Sequence, residues 1–554
     1  MRNLAFVIVA LGSLTACSDS AYDPDAPAID PNAPRVHITT PTRGTFAGDV
    51  TKVTVTGTAI DDDAVASVTV NDVQATVAPD GTFTAEVPVT AGTNLLHAIA
   101  KDAQGNAGKE TRAVVAGPMD TIASTVPDGI TASMSAQTFN AIAAGLTGYV
   151  KTANLTALVA PMNPVVNSGA PNGPDCLYAQ ANITSLAVGS ATSFTMTPTA
   201  GGIYLDAELD RPRVGMHLQW AVACLDGATD VMISASHIKI AGMLTVGVNH
   251  GAFDIHFDNP NVTITGFNVD MSGIPGTVID MLSLDTAIGP VLGWAVERFA
   301  VPMLNNALMG LNQTKTVDVL GTPVDIKVTP ERIDFDTSGA LVELDTQLRA
   351  QNDSTSPGFV YVPNQTPAMD TSQGFELAIA DDAANQLFGS FWAAKGMTKG
   401  LDLNTGSYGE VGKLYDRVEL EAAVPPFVDA SGSSLKLTIG DMIGTFKNGP
   451  AIATQVAINA EVSLKVTTGA NGALSLDVGT PTMYIDVLDE NVDGANQLSN
   501  AQFEAVASFA ASRIVAFGSG AVGAIPLPAF GGVAVKDVHI TEQTGYLVLD
   551  GKVE

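Results

Sequence analysis

Two stretches of this chain pass from a few strand-forming residues straight into an amphipathic helix, and they lie roughly 247 residues apart. The first, Gly129-Ile130-Thr131-Ala132, leads into a helix expected over 135–150, with Phe139, Ile142, Ala143, Leu146 and Val150 on one face. The second, Phe375-Glu376-Leu377-Ala378-Ile379, leads into a helix expected over 381–395. Its apolar face is Ala384, Leu387, Phe388 and Phe391, with Asp381 capping one end and Gly396 the other. After each lies a long strand-like stretch and then another apolar-faced helix. One is expected over 285–311, with Ile288, Val291, Leu292, Ala295 and Phe299 aligned and kinked or broken by Pro290 and Pro302. The other is expected over 499–517, where Ser499 and Gln502 form a capping box ahead of Phe503, Val506, Ala510, Ile514 and Phe517. This reads as a diverged duplication: two units, each a long curved sheet with two helices.

Strand chemistry between the helices fits amphipathic antiparallel sheets. Phe253, Ile255 and Phe257 share one face, while Asp254, His256 and Asp258 share the other. Asn259-Pro260 is expected to turn the chain, and Gly266 to mark a bulge where Val262 and Ile264 change parity to Phe267 and Val269.

Residues 35–117 have a different texture. Val53 and Val55, Val68 and Val70, and Phe83, Ala85 and Val87 alternate with polar neighbours. Turn signals separate them at Asp61-Asp62-Asp63, Asn71-Asp72, Pro79-Asp80-Gly81 and Ala91-Gly92. Short strands at this spacing predict a small β-sandwich. The run VTVTGTAIDDDAVASVTVNDVQATVAPDGTFTAEVPVTAGTN, closing with KDAQGNAG, resembles bacterial immunoglobulin-like modules. The three aspartates read as a solvated turn in preference to a Ca²⁺ site.

The start of the chain carries an address. Arg2 is a one-charge n-region, 4–14 is a short apolar run, and Leu14-Thr15-Ala16-Cys17 follows. The run is far below the roughly 20 residues of a spanning helix, so 1–16 reads as a signal peptide. Small residues before a cysteine resemble bacterial lipoprotein signals, which implies acylation of Cys17. Ser18 is not the Asp of an inner-membrane retention signal, so the outer membrane, on its periplasmic or exposed side, is the expected location. Of three cysteines, Cys176 and Cys224 then remain as a pair that an oxidising compartment would join. Residues 17–34, rich in Pro and Asp, read as an extended tether reaching ~50 Å.

The chain has 554 residues, too many for one core, and a formal net charge of −31. Loss of Arg2 with the signal peptide leaves 25 basic against 57 acidic residues. A field of that sign excludes general binding to nucleic acid or to anionic head groups. Only 15% of residues are charged, so much apolar surface must be buried or must carry something apolar.

Three phrases point to a family. VPDGITASMSAQTFNAIAAGLTGYV from Val126 is similar to the opening of the bactericidal/permeability-increasing and lipopolysaccharide-binding protein family. FELAIADDAANQLFGSFWAAKGMTKGLDL resembles the opening of its second half, and GAIPLPAFGGVAVKDVHITEQTGYLVLDGKV resembles its close. Their order and spacing cover about 430 residues. The resemblance implies two tubular barrels joined by a central sheet in a boomerang, with acyl chains entering apolar grooves and no catalysis. The fold expected for the whole is mainly β with long helices (α+β): a sandwich at 35–117, a first barrel at 118–325 and a second at 326–554. Phe139, Ile142, Leu146, Val150, Ile288, Leu292, Phe299, Leu387, Phe388, Phe391, Phe503, Val506 and Phe517 are the candidate groove residues, each read singly as a core side chain. Residues 118–330 hold few basic residues, which sets them apart from the cationic tip of the animal proteins. Cys176 and Cys224 also do not match the family's disulfide, so a local staple between strands is expected.

No HExxH, GxSxG or GxxxxGK[ST] motif occurs, and no cofactor is expected. His250, Asp254 and His256 are read as a solvated strand face in preference to a metal site. Asp489, Asn491 and Asp493 form the front of a calcium loop, but its twelfth position is Asn500 rather than Glu, so a helix-capping turn is the main reading and Ca²⁺ the lesser one. The expected function is a monomeric, membrane-tethered binder of phospholipid or another acyl-chain lipid. The alternative is an adhesin or envelope scaffold whose sandwich binds polysaccharide or protein.

Overall fold

A computed structural model describes residues 24–170, 177–269, 312–319, 321–353, 356–372, 374–430, 435–468, 474–488, 498–522, 535–543 and 545–553. The expected helix over 285–311, with Ile288, Leu292 and Phe299, lies outside them. So do Cys17, Cys176 and the calcium-like Asp489, Asn491 and Asp493.

The two strand-to-helix openings lie side by side. Val126–Ser135 and Phe375–Ala380 pair antiparallel, Ile130 opposite Ile379 and Met134 opposite Phe375, at the centre of a seven-stranded sheet. The hairpin Thr322–Phe335/Gly339–Ala350 flanks the first opening, and Tyr546–Val553 with Val535–Gln543 flanks the second. The central pair thus has three strands on the side of the first opening, Gln313–Val319 being the outermost, and two on the side of the second. The sheet also moves a boundary: the division expected at 325/326 falls inside the strand Thr322–Phe335, whose hairpin completes the sheet on the side of the first opening.

Each opening is followed by its helix. Helix α1, Ala136–Thr152, is capped by Ser135, whose hydroxyl accepts from the Thr138 N–H. A short α2, Leu155–Val159, follows it. Helix α3, Asp381–Ala393, stops two residues short of the expected end. Its cap differs from expectation as well. Ala380 is the N-cap and has no side chain to cap with, while the carboxylates of Asp381 and Asp382 accept from Ala430 N–H and Val362 N–H. At the far end Lys395, with φ of 60°, takes the left-handed position expected of Gly396. A short α4 spans Val411–Leu414, and α5 spans Asn500–Val522 behind the Ser499/Gln502 capping box.

Between α1 and the central sheet run two antiparallel sheets. One joins Ser193–Thr199, Gly202–Asp210, His237–Asn249 and Ala252–Thr265. The other joins Val166–Gly169, Tyr178–Ala187, Arg213–Val222, Leu225–Ser234 and Asn268–Val269. The turn expected at Asn259-Pro260 is absent: Ala252–Thr265 runs through it, and the mismatch is absorbed as a register slip opposite 241–243. The chain instead changes sheet at Gly266, whose φ of 64° turns it so that Asn268–Val269 pairs with Leu225–Ser234. Around α5 a seven-stranded sheet runs Lys399–Asp402, Arg417–Ala422, Leu435–Asn448, Ala451–Thr468 and Leu474–Val478, with Thr482–Leu488 and Phe427–Asp429 paired off its path. One apolar core runs through the sheet of 193–265, the central sheet, α1, α3, α5 and this last sheet.

Residues 35–116 form two facing sheets around a core of Val55, Val68, Val70, Phe83, Val87 and Leu96, all buried, as the alternation requires. Asn71 and Asp72 both take positive φ, which makes the hairpin turn tight. The sandwich is not a free bead. Gly440 lets its strand Ala107–Ala116 approach so closely that an added Cβ would stand 2.4 Å from that of Ala113. There Arg43 bonds Glu110 and Asp441, while Arg112 bonds Glu110 at 2.6 Å. Asp441 also accepts from Ala113 N–H, and Asp486 from Thr111 N–H. Burial pushes the Asp486 carboxyl up to about 7, against the opposing pull of Arg43.

The segment before the sandwich is not a free tether either. Ala28 N–H donates to Leu498 O at 2.9 Å, Asn500 N–H to Ala26 O at 2.9 Å and Ala501 N–H to Pro24 O at 3.2 Å. Residues 24–28 are therefore strapped across the start of α5, which corrects the expected extended run through residue 34.

Candidate apolar groove

The groove builds from the central sheet upward. Ile326 and Val328 stand opposite Leu348 and Thr346 on the flanking hairpin, and Ile130 and Ile379 come from the two openings. Helix α3 lies over them with Ala383, Ala384 and Leu387. Together these side chains line a narrow crevice whose free volume is about 10 Å³, room for about one water molecule. That is far below the ~300–1,000 Å³ of small-molecule sites, so the crevice is closed by its own side chains. No charged group lines it, and Thr346 is the polar exception.

Thr346 reaches this position because its neighbour strand is distorted. Between Val126 and Ile130 the register slips, Asp128 takes a φ of 49°, and Gly129 presents no Cβ to the threonine. A Cβ at Gly129 would lie 2.1 Å from Thr346 Oγ1. The hydroxyl is buried and has no hydrogen-bond partner.

Helix α3 is held over the crevice by polar side chains buried on its other faces. Past the slip, the opening strand no longer covers the edge of Gly339–Ala350, so the N–H groups of Leu348 and Ala350 need other acceptors. Gln386 Oε1 accepts from Leu348 at 2.8 Å, and Ser390 Oγ accepts from Ala350 at 2.7 Å. Ser390 then donates to Asp353, itself paired with Arg349, while Asn385 exchanges two bonds with the backbone of Val428. At the start of α3, burial and the neighbouring Asp381 push the Asp382 carboxyl up to about 7.

The candidate groove residues divide clearly. Phe139, Leu146, Leu387, Phe388, Phe391 and Val506 are buried in the shared core, and of these only Leu387 lines the crevice. Ile142, Val150 and Phe503 are half-buried and pack against the core from its rim. Phe517 falls within α5, though its side chain is outside the described residues. Gln386, Ser390 and Thr346 escaped the sequence reading, because polar residues in an amphipathic pattern read as solvent-facing.

Other singled-out residues do not converge. Asp254 and His256 pair at 2.9 Å on an exposed strand, while His250 sits in the hairpin turn with a φ of 49°. No group of His, Cys, Asp or Glu among the described residues could hold a metal ion. Cys224 lies at the turn between Arg213–Val222 and Leu225–Ser234 with a φ of 64°. No helix among the described residues is long and apolar enough to cross a membrane.

Residues 34–117 match the family of glucodextranase domain B. Among solved structures, lipopolysaccharide binding protein is similar at 15% identity, covering 77% of this chain and 99% of its own, with a TM-score of 0.39. P47 of Clostridium botulinum E1 is similar at 10% identity, covering 78% and 100%, with a TM-score of 0.23. P47 from Clostridium botulinum A2 stands at 10% identity, 78% and 98%, with a TM-score of 0.25. No curated protein matches the chain.

Proposed function

We propose that this protein is a membrane-tethered carrier of an acyl-chain lipid, acylated at Cys17 and resident in the cell envelope. The crevice under α3 carries the reading, because its lining is aliphatic apart from one unpartnered hydroxyl. Burying each CH₂ of a chain there contributes ~0.8 kcal/mol, before the cost of ordering it. The crevice leaves only about 10 Å³ free, so entry of even one acyl chain requires α3 or its neighbours to give way. The three phrases that resemble the lipopolysaccharide-binding family support the same reading, in which two tubular units hold lipid and neither performs catalysis. Cys176 and Cys224 would staple the first unit.

Native mass spectrometry of the unlipidated protein, residues 18 onward, tests this. A bound mass in the lipid range, displaced by a fluorescent fatty-acyl probe, is the expected result. Protein that releases no lipid on extraction and takes up no probe would leave the scaffold reading. That second reading draws on one observation: the sandwich is joined to the sheet around α5 by Arg43, which pairs with Asp441 and Asp486 across a buried contact. A module that presents polysaccharide- or protein-binding loops would use such a mount.

A further inference from the structure

We infer that the membrane-facing part of this protein is the unit containing α5, held there by the strap at residues 24–28, and that the sheet of residues 166–234 stands away from the bilayer. The inference rests on the proposed acylation of Cys17.

The first N–H groups of a helix have no partner within it. In α5 two of these are taken by the strap, as Asn500 donates to Ala26 O and Ala501 to Pro24 O. A third, that of Gln502, goes to Ser499 Oγ. Ala28 N–H returns a bond to Leu498 O, so the strap and the helix start satisfy each other in both directions. Pro27 stands opposite Ser499 as an isolated bridge, Leu498 is buried, and Ala28 packs against the main core. The strap is thus a cap for α5 as well as a passage to the sandwich.

Chain length does the rest. Pro24 lies seven steps along the chain from Cys17, and a fully extended chain spans at most ~3.3–3.6 Å per residue, a leash of ~25 Å. That is half the reach expected had the chain run free to residue 34. An acyl anchor on Cys17 therefore holds the start of α5 within ~25 Å of the bilayer surface, whatever the rest of the molecule does. The Val166–Ser234 sheet has its own apolar cluster of Ala181, Met216, Leu218, Trp220 and Val231, separate from the core that includes α5. The overall charge of −31 offers no electrostatic reason for that sheet to bend back to an anionic surface.

The test uses lipidated full-length protein on phosphatidylcholine vesicles carrying a headgroup acceptor dye. A donor dye is placed through an azide-bearing residue at Ser508 on the exposed side of α5 or at Ala228 on the exposed side of the distal sheet. Flotation of Cys17→Ala runs in parallel. The expected result is that Cys17→Ala no longer floats, and that energy transfer at Ser508 exceeds transfer at Ala228 by about twofold or more, given the ~25 Å leash. If Cys17→Ala floats like the parent, the acylation reading falls and this inference with it. If flotation needs Cys17 but transfer at Ala228 equals or exceeds transfer at Ser508, the anchor stands and the orientation is overturned.

Discussion

Thr346 and Asp486 each carry a polar group whose environment disfavours it, and each gives a measurable consequence. The Thr346 hydroxyl is buried without a partner. Leaving such a group unmet costs about 1–3 kcal/mol, so Thr346→Val, of nearly the same shape, should raise stability by about 1 kcal/mol. A urea unfolding midpoint moved upward at constant slope is the outcome to look for. Asp486 sits among Arg43, Glu110, Asp441 and the backbone of Thr111. Its carboxyl titrates near 7 when folded and in the ordinary carboxylate range when unfolded, so between those limits the folded state holds the extra proton. Its contribution to stability is present at low pH and is lost as pH rises through about 7. The thermal midpoint should therefore fall between pH 5 and pH 8, with a shallower slope in Asp486→Asn. Asp382, raised for the same reason, supplies a further share.

At the scale of elements, α3 organises the groove, and its interior faces are of two kinds. Phe391 is fully buried in the core, and truncation to alanine should cost about 3–5 kcal/mol. Gln386→Leu would keep the apolar volume but leave Leu348 N–H without its acceptor, at about 1–3 kcal/mol. Chemical denaturation of the two variants separates packing from hydrogen bonding. The sequence made much of this scale legible. Apolar periodicity located α1, α3 and α5 within two to five residues at their ends, because an amphipathic face is a local signal. What remained hidden depends on partners distant in sequence. Asp381 looked like a helix cap because nothing local shows that Ala430 claims it. Asn259-Pro260 looked like a turn, yet pairing with His237–Asn249 carries the strand straight through. Residues 24–28 looked like free linker by composition, while their partners lie at 498–501.

For the whole molecule, the buried contact between the sandwich and the sheet around α5 decides how the chain unfolds. Arg43 is shared by Glu110 and Asp441, both inaccessible to water. Removing one member of a buried ion pair costs about 3–5 kcal/mol, because the remaining charge stays buried. Arg43→Ala should therefore split calorimetric unfolding, one transition in the parent becoming two as the sandwich melts apart from its mount. The central sheet has a different large-scale effect. Its middle is made by the pairing of Val126–Ser135 with Phe375–Ala380, so the two halves of the chain share one layer of backbone bonds there. In mechanical terms that sheet is a stiff joint: bending the chain there means shearing those bonds in concert. On the proposed carrier reading, a lipid would then enter or leave by local displacement of a helix such as α3, with the pairing of the two openings the same in loaded and empty protein.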